Sequence, residues 1–337
     1  MKYIPIINSI AVALLLMFGV STVSAQQQGQ YSQYMMNYFL VNPAAAGTTD
    51  YIDLRAGYRM QWLGLSGAPR NYYVSGHVPI NKVHKSQKRT QRPRAYHVIG
   101  GLFTGQTIGV FSHNTGYISY AYHLPLSKKW NASMGANVGF NQIALGGNMK
   151  WIDQIPDPTI AYTNQIKPDI SIGGWLYSDK FFMGVSTMQM LQNKLDFSRG
   201  DTEGGVLNRH FYITGGYNIQ LNNDIRIIPS AMIKTTASAL QLDINTKVRY
   251  QELFWGGISY RRMDAFVAMG GIGIPLTSVS KTPGFSGKKQ MNYHRLEIGY
   301  SYDITTSKLS NYSGGSHEIM VGLLLPLKAK VVCPKFW

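Results

Sequence analysis

The sequence predicts an all-β fold: a transmembrane outer-membrane antiparallel β-barrel of about fourteen strands, with an N-terminal segment that packs into the lumen or across its periplasmic mouth. Three observations predict it. The chain opens with an export signal, its charged residues are sparse among tyrosines and glycines, and apolar and polar residues alternate in one stretch after another.

The opening "MKYIPIINSIAVALLLMFGVSTVSAQQQ" places Lys2 before an apolar run from Ile10 to Val20, then Val23-Ser24-Ala25 before glutamines. That order matches a secretory signal peptide, residues 1–25, cut after Ala25. The apolar core is too short for a retained membrane anchor. Beyond it no apolar run is long enough for a membrane helix, which leaves a soluble exported chain or a barrel. Composition favours the barrel: of 337 residues 22 are Tyr, 35 are Gly and only 14% are charged, against roughly 25% in ordinary globular domains.

Residues 26–48 form the next unit. In "NPAAAG", Asn42-Pro43 is turn chemistry and Gly47 allows a tight bend. Tyr31, Tyr34, Met35, Met36, Tyr38 and Phe39 are too apolar for a free tail, so the segment is expected to plug the barrel, with simple sealing favoured over ligand binding.

The barrel itself is expected over residues 49–327. "YIDLRAGYR" puts Ile52, Leu54, Ala56 and Tyr58 on one face and Asp53, Arg55, Gly57 and Arg59 on the other. "ALQLDINTKVRY" separates Leu240, Leu242, Ile244, Thr246, Val248 and Tyr250 from Gln241, Asp243, Asn245, Lys247 and Arg249. "HRLEIGYSYD" separates Leu296, Ile298, Tyr300 and Tyr302 from Arg295, Glu297, Gly299, Ser301 and Asp303, and "SHEIMVGLLLPL" sets Glu318 and Gly322 opposite Ile319, Val321 and Leu323. Each stretch has about the length of a transmembrane strand, roughly 9 to 11 residues. A soluble sandwich also alternates. The export signal, the tyrosines near strand ends and the small glycines on the polar face tip the balance to a barrel.

The strand centres fall near Leu54, Val74, Gly101, Ser119, Ala136, Gly173, Gly184, Thr214, Ile228, Asn245, Ser259, Ala268, Ile298 and Val321. Asp53, Arg55, Arg59, Asp243, Lys247, Arg249, Arg295, Glu297 and Glu318 are then expected to line a wet lumen, cross-paired, because a dry core would not tolerate them. Glu318 is expected to meet Arg295. With the N-terminus inside, turns near Ser127, Ser178, Asn223 and Glu252 come out short and periplasmic, and residues 145–167 and 189–208 come out extracellular.

Two stretches break the alternation. "NKVHKSQKRTQRPR" carries Lys82, Lys85, Lys88, Arg89, Arg92 and Arg94 without an acid, and "PLTSVSKTPGFSGKKQ" carries Lys281, Lys288 and Lys289. Both fall on the expected periplasmic side, as does the tail at residues 328–337. A long basic loop where a tight turn would suffice reads as docking surface, the alternative being a mobile charged loop with no partner. The formal net charge is +16. In an exported chain this excess points to anionic lipid, sugar or an acidic partner protein rather than nucleic acid.

Nothing in the sequence asks for catalysis, a cofactor or a metal. The eight histidines show no ligand spacing, Cys333 is the lone cysteine, and there is no GxSxG elbow. Ser316, His317 and Glu318 are no triad, since His317 points away from the other two in a strand. "GGIGIP" lacks a surrounding βαβ unit.

The stretches "YSQYMMNYFLVNPAAAG", "YRMQW", "IPSAMIK" and "YDITTSKLSNYSGGSHEIMVG" together carry a resemblance to the PorP/SprF family. It spans essentially the whole chain after residue 25. The resemblance implies a non-enzymatic outer-membrane protein of Bacteroidota associated with type IX secretion and gliding motility. Such a protein works with periplasmic secretion components and assists export or surface attachment of adhesins that carry C-terminal sorting domains. A general diffusion porin is the alternative, since a charged lumen of about fourteen strands encloses appreciable space.

Overall fold

The computed structural model describes residues 28–49, 51–80, 95–127, 129–146, 163–195, 205–236, 239–276 and 294–326. Fourteen strands build the wall: β1 (Tyr51–Met60), β2 (Arg70–Ile80), β3 (Tyr96–Ile108), β4 (Phe111–Pro125), β5 (Asn131–Leu145), β6 (Thr163–Tyr177), β7 (Phe181–Met188), β8 (His210–Tyr217), β9 (Ile225–Thr235), β10 (Leu240–Tyr250), β11 (Phe254–Arg261), β12 (Ala265–Pro275), β13 (Arg295–Thr305) and β14 (Ser316–Pro326). Each expected strand centre lies inside its strand.

Every strand pairs antiparallel with its sequence neighbours, and β1 pairs with β14, Tyr51 opposite Pro326. The step from β8 to β9, Phe211 opposite Thr235, completes the ring. Closure removes both sheet edges, as a chain surrounded by hydrocarbon requires. Among the described residues no helix is long and apolar enough to cross a membrane. The strands do the crossing.

The alternation read from the sequence is the alternation of the wall. Ile118 is 78% exposed while its neighbours Tyr117 and Ser119 are 5% and 2% exposed. An outward isoleucine between two inward polar side chains suits a wall with hydrocarbon outside. Leu54, Val74, Val138, Ile258 and Ile319 continue this outer surface.

We call the end where the chain enters β1 the lower end and the opposite one the upper end. Tight turns occur at both. Residues 178–180 and 251–253 turn at the lower end, and residues 109–110 and 262–264 at the upper. The turns expected near Ser127, Ser178, Asn223 and Glu252 do lie at the lower end, and the two long stretches leave the wall at the upper end. Tight turns close the upper end too, however, and residues 163–167 belong to β6 rather than to a loop. Turn length follows local backbone chemistry, with positive φ at Gly109, Gln251, Glu252 and Met263, rather than the side of the barrel. The long upper stretch after β7 carries a two-stranded ribbon, Lys194–Leu195 with Gly205–Val206. Its Leu195 and Leu207 pack on Ile143 of β5.

Candidate functional site in the barrel lumen

The interior is filled by the chain itself. Residues 28–47 run inside the barrel through three short 3-10 turns, Tyr34–Met36, Tyr38–Leu40 and Pro43–Ala45. Tyr34, Met35, Met36, Phe39, Leu40 and Val41 form one buried cluster with Tyr73, Val98, Leu102, Tyr117 and Met188 of the wall. Burial of that much apolar surface explains why this stretch is not a tail.

The last turn has a seat made of glycine. Asn42 caps it by accepting from the Ala44 N–H (2.9 Å), and its Nδ2 donates to Gly174 O and Val185 O, each at 3.1 Å. A Cβ on Gly135 would meet the Ala44 backbone at 2.6 Å, one on Gly173 would meet Asn42 Oδ1 at 2.1 Å, and one on Gly184 would meet first the Trp175 ring at 2.0 Å and then Asn42 Nδ2 at 2.9 Å. Three adjacent strands thus omit side chains where the turn rests. Gly47 takes φ +70 to leave the turn, and a Cβ there would meet Val98 Cγ2 at 2.3 Å.

Wall side chains read the main chain of this segment along its length. Glu318 accepts from Ser32 N (2.6 Å) and Gln33 N (3.1 Å), and Lys247 Nζ donates to Met35 O (3.1 Å). Lys234 and His210 hold the two main-chain atoms of Gln28, and Asn71 reaches Gln30 O. Ser186 donates to Val41 O (2.5 Å), Ser133 to Ala44 O (2.7 Å), and His123 Nε2 to Ala46 O (2.7 Å). Gly47 donates to His77 Nδ1 (3.2 Å) and accepts from the Tyr96 hydroxyl (3.0 Å).

The charged residues expected to line the lumen divide into two groups. Towards the lower end, Arg55 grips both oxygens of Asp53 (2.7 and 3.0 Å) and reaches Glu297 at 3.1 Å. Arg249 and Arg295 also hold Glu297, and both reach Glu252, which Arg226 contacts at 2.9 Å. Burial acts to raise the Glu252 carboxyl, but Arg249, Arg226 and Arg295 outweigh it and hold the group below its ordinary range. Higher up, Arg59 pairs with Asp303 (2.8 Å) and Glu318 (3.7 Å), and Arg261 contacts Asp243, Asp264 and Asp303. Ser32 Oγ sits between them, donating to Asp303 (2.7 Å) and accepting from Arg59 (2.6 Å). Arginines outnumber carboxylates in the lower group, and carboxylates outnumber arginines in the upper.

Two expectations need correction. Glu318 does not meet Arg295: across the β13–β14 pair Arg295 faces Leu324, whereas Glu318 faces Ser301, far up the strand. Nor do the charges stand in an open wet lumen. Asp53, Arg55, Arg59, Asp243, Lys247, Arg295, Glu297 and Glu318 are all buried, and Arg249 nearly so, paired with one another and with residues 28–36.

Lys82, Lys85, Lys88, Arg89, Arg92, Arg94, Lys281, Lys288 and Lys289 lie outside the described residues. Sequence reasoning missed Arg261, Glu252 and Ser32, and did not single out Asp303 although the alternation places it on the face of Glu297. Among the described residues no cluster of His, Cys, Asp and Glu has the makings of a metal site.

A closed antiparallel barrel, apolar outside and packed inside with its own N-terminal segment, defines an outer-membrane β-barrel. The chain belongs to the PorP/SprF family of type IX secretion system membrane proteins, whose family model matches residues 23–323. No curated protein sequence matches it significantly. Similar solved structures include the CymD monoaromatic hydrocarbon channel, at 9% identity and TM-score 0.48 over 87% of this chain and 92% of that one. A FadL homologue of Pseudomonas aeruginosa is 11% identical, with TM-score 0.46 over 84% and 91%. The translocator domain of the autotransporter NalP from Neisseria meningitidis is 10% identical, with TM-score 0.43 over 88% and 95%.

Proposed function

We infer that this secretion barrel is a non-enzymatic anchor that assists export or surface attachment of a secreted cell-surface protein, an adhesin with a C-terminal sorting domain. Family membership supplies the secretion context. The observation that carries the reading further is the filled lumen, since a barrel packed by its own segment suits an anchor better than a general diffusion porin.

The basic stretches are the contact with periplasmic secretion components. They leave the described wall at Ile80 and Pro275 and return at Tyr96 and Arg295. Both gaps are at the lower end, where the N-terminal segment is latched by His77, Tyr96 and His123. The outer wall meets membrane lipid and the upper loops meet the cargo. Replacing Lys82, Lys85, Lys88, Arg89, Arg92 and Arg94 by Ser is expected to abolish surface display of the cargo while the barrel still assembles, as judged by its heat-dependent gel mobility. Normal display from a normally assembled variant would reject the docking role.

A further inference from the structure

We propose that the lumen is a binding site for polypeptide main chain, that residues 28–47 occupy it as an intramolecular ligand, and that a second polypeptide segment can take their place. The natural occupant, on the reading above, is a stretch of the secreted protein, but the site itself is argued from the wall alone.

The first argument is the mode of recognition. A plug that merely seals needs apolar packing and shape. Here wall side chains on β2 to β5, β7 to β10 and β14 bind eleven main-chain N–H and C=O groups between Gln28 and Gly47. Main-chain groups are common to all polypeptides, so contacts of this kind hold a segment with little regard to its sequence.

The second argument is a mismatch between the wall and its present filling. Ser119 Oγ, Thr214 Oγ1 and both polar atoms of the Asn137 carboxamide are buried without a hydrogen-bond partner among the described residues. Buried polar groups are normally satisfied, and leaving them unpaired destabilises the closed state. A carboxamide offers two N–H donors and two acceptor lone pairs, a set that the C=O and N–H of a peptide unit complement. Ser119 and Asn137 face each other across β4 and β5. Asn137 lies two residues above Gly135 of the glycine seat, on the same strand. These groups match a more polar occupant than the one now covering them.

Exchange follows from these two features. A tethered occupant competes at high effective concentration, so a free segment binds only to the fraction of barrels whose own segment has left. Anything that holds the tethered segment in place must therefore block the free one.

The test uses the full chain in detergent or nanodiscs, with Cys333→Ser as background. Asn37 Nδ2 donates to Ser75 Oγ at 2.8 Å, so Asn37→Cys with Ser75→Cys can be closed by oxidation or by a short bismaleimide. The probe is a fluorescent synthetic peptide of residues 28–48, read by anisotropy. The open protein is expected to bind it at least about tenfold more tightly than the closed one, and a scrambled peptide of the same composition is expected to bind the open form too. Equal binding to both forms, no binding to the open form, or refusal of the scrambled peptide would overturn the proposal. Failure here would leave the secretion reading intact, because that reading is tested by cargo display. Peptide exchange with normal cargo display in the loop variant would do the reverse.

Discussion

Gly173→Ala is the sharpest probe of how the N-terminal segment is held. The added Cβ would lie 2.1 Å from Asn42 Oδ1 and 3.2 Å from Pro43 Cδ, so the turn must lift from its seat. Lifting it breaks the two bonds from Asn42 Nδ2 to Gly174 O and Val185 O and strains the cap on Ala44. At about 1 kcal/mol for each of these hydrogen bonds, the seated state loses about 3 kcal/mol. That corresponds to roughly a hundredfold larger unseated population. The assay is maleimide labelling of Ser133→Cys in a Cys333→Ser background, because Ser133 is 3% exposed and donates to Ala44 O. The control is Gly174→Ala, one residue along the same strand, whose Cβ would meet only Val185 Cγ2 at 3.9 Å. Both substitutions change strand propensity alike, but only the first touches the turn. Labelling of Gly173→Ala no faster than of Gly174→Ala would refute the seat.

Three further outcomes are expected. Arg59→Met leaves Glu318 without its arginine and Asp303 with Arg261 alone at 3.5 Å, and should lower stability by about 3–5 kcal/mol, with Asp303→Asn restoring part of it in the double variant; urea unfolding measures both. Glu252 has its carboxyl held down by three arginines, so its contribution is present above the unfolded value near 4.5 and is lost as pH falls through the lower folded value. Unfolding of the wild type should therefore weaken more steeply on acidification than that of Glu252→Gln. Gly47→Ala places a side chain at φ +70 and against Val98, which should destabilise the latch by about 1–3 kcal/mol, and Val98→Ala should relieve the part due to contact; labelling of Ser133→Cys reports it.

The wall was legible in the sequence because a strand's period of two is a local property. Leu54 beside Asp53 and Arg55, or Ile298 beside Glu297, declares its face without reference to any other strand. Partnership between strands is not local. Glu318 was matched with Arg295 on charge alone, whereas the register of β13 against β14 puts Ser301 opposite Glu318 and leaves Arg59 of β1 as its cation. The apolar residues around Met35 and Phe39 announced that residues 26–48 would be buried. That this segment would satisfy the lumen charges through Ser32, Gln33 and Met35 O could not be read, because serine and glutamine look the same in a loop as in a plug. Arg261 escaped notice for a related reason: its strand, "FWGGISYR", has only one charge and that at its end.

Ser32 touches Asp303 on β13, Arg59 on β1 and Glu318 on β14. These strands flank the seam where the first and last parts of the chain meet, and the bond from Ser32 to Glu318 spans 286 residues. The segment is synthesised first, yet three of its firmest partners come together only when the final strand arrives. Assembly is therefore timed from the C-terminus: a chain interrupted before Ser316 has neither a closed seam nor the carboxylate that receives Ser32 and Gln33. The contact that fills the barrel is also a checkpoint on its completion.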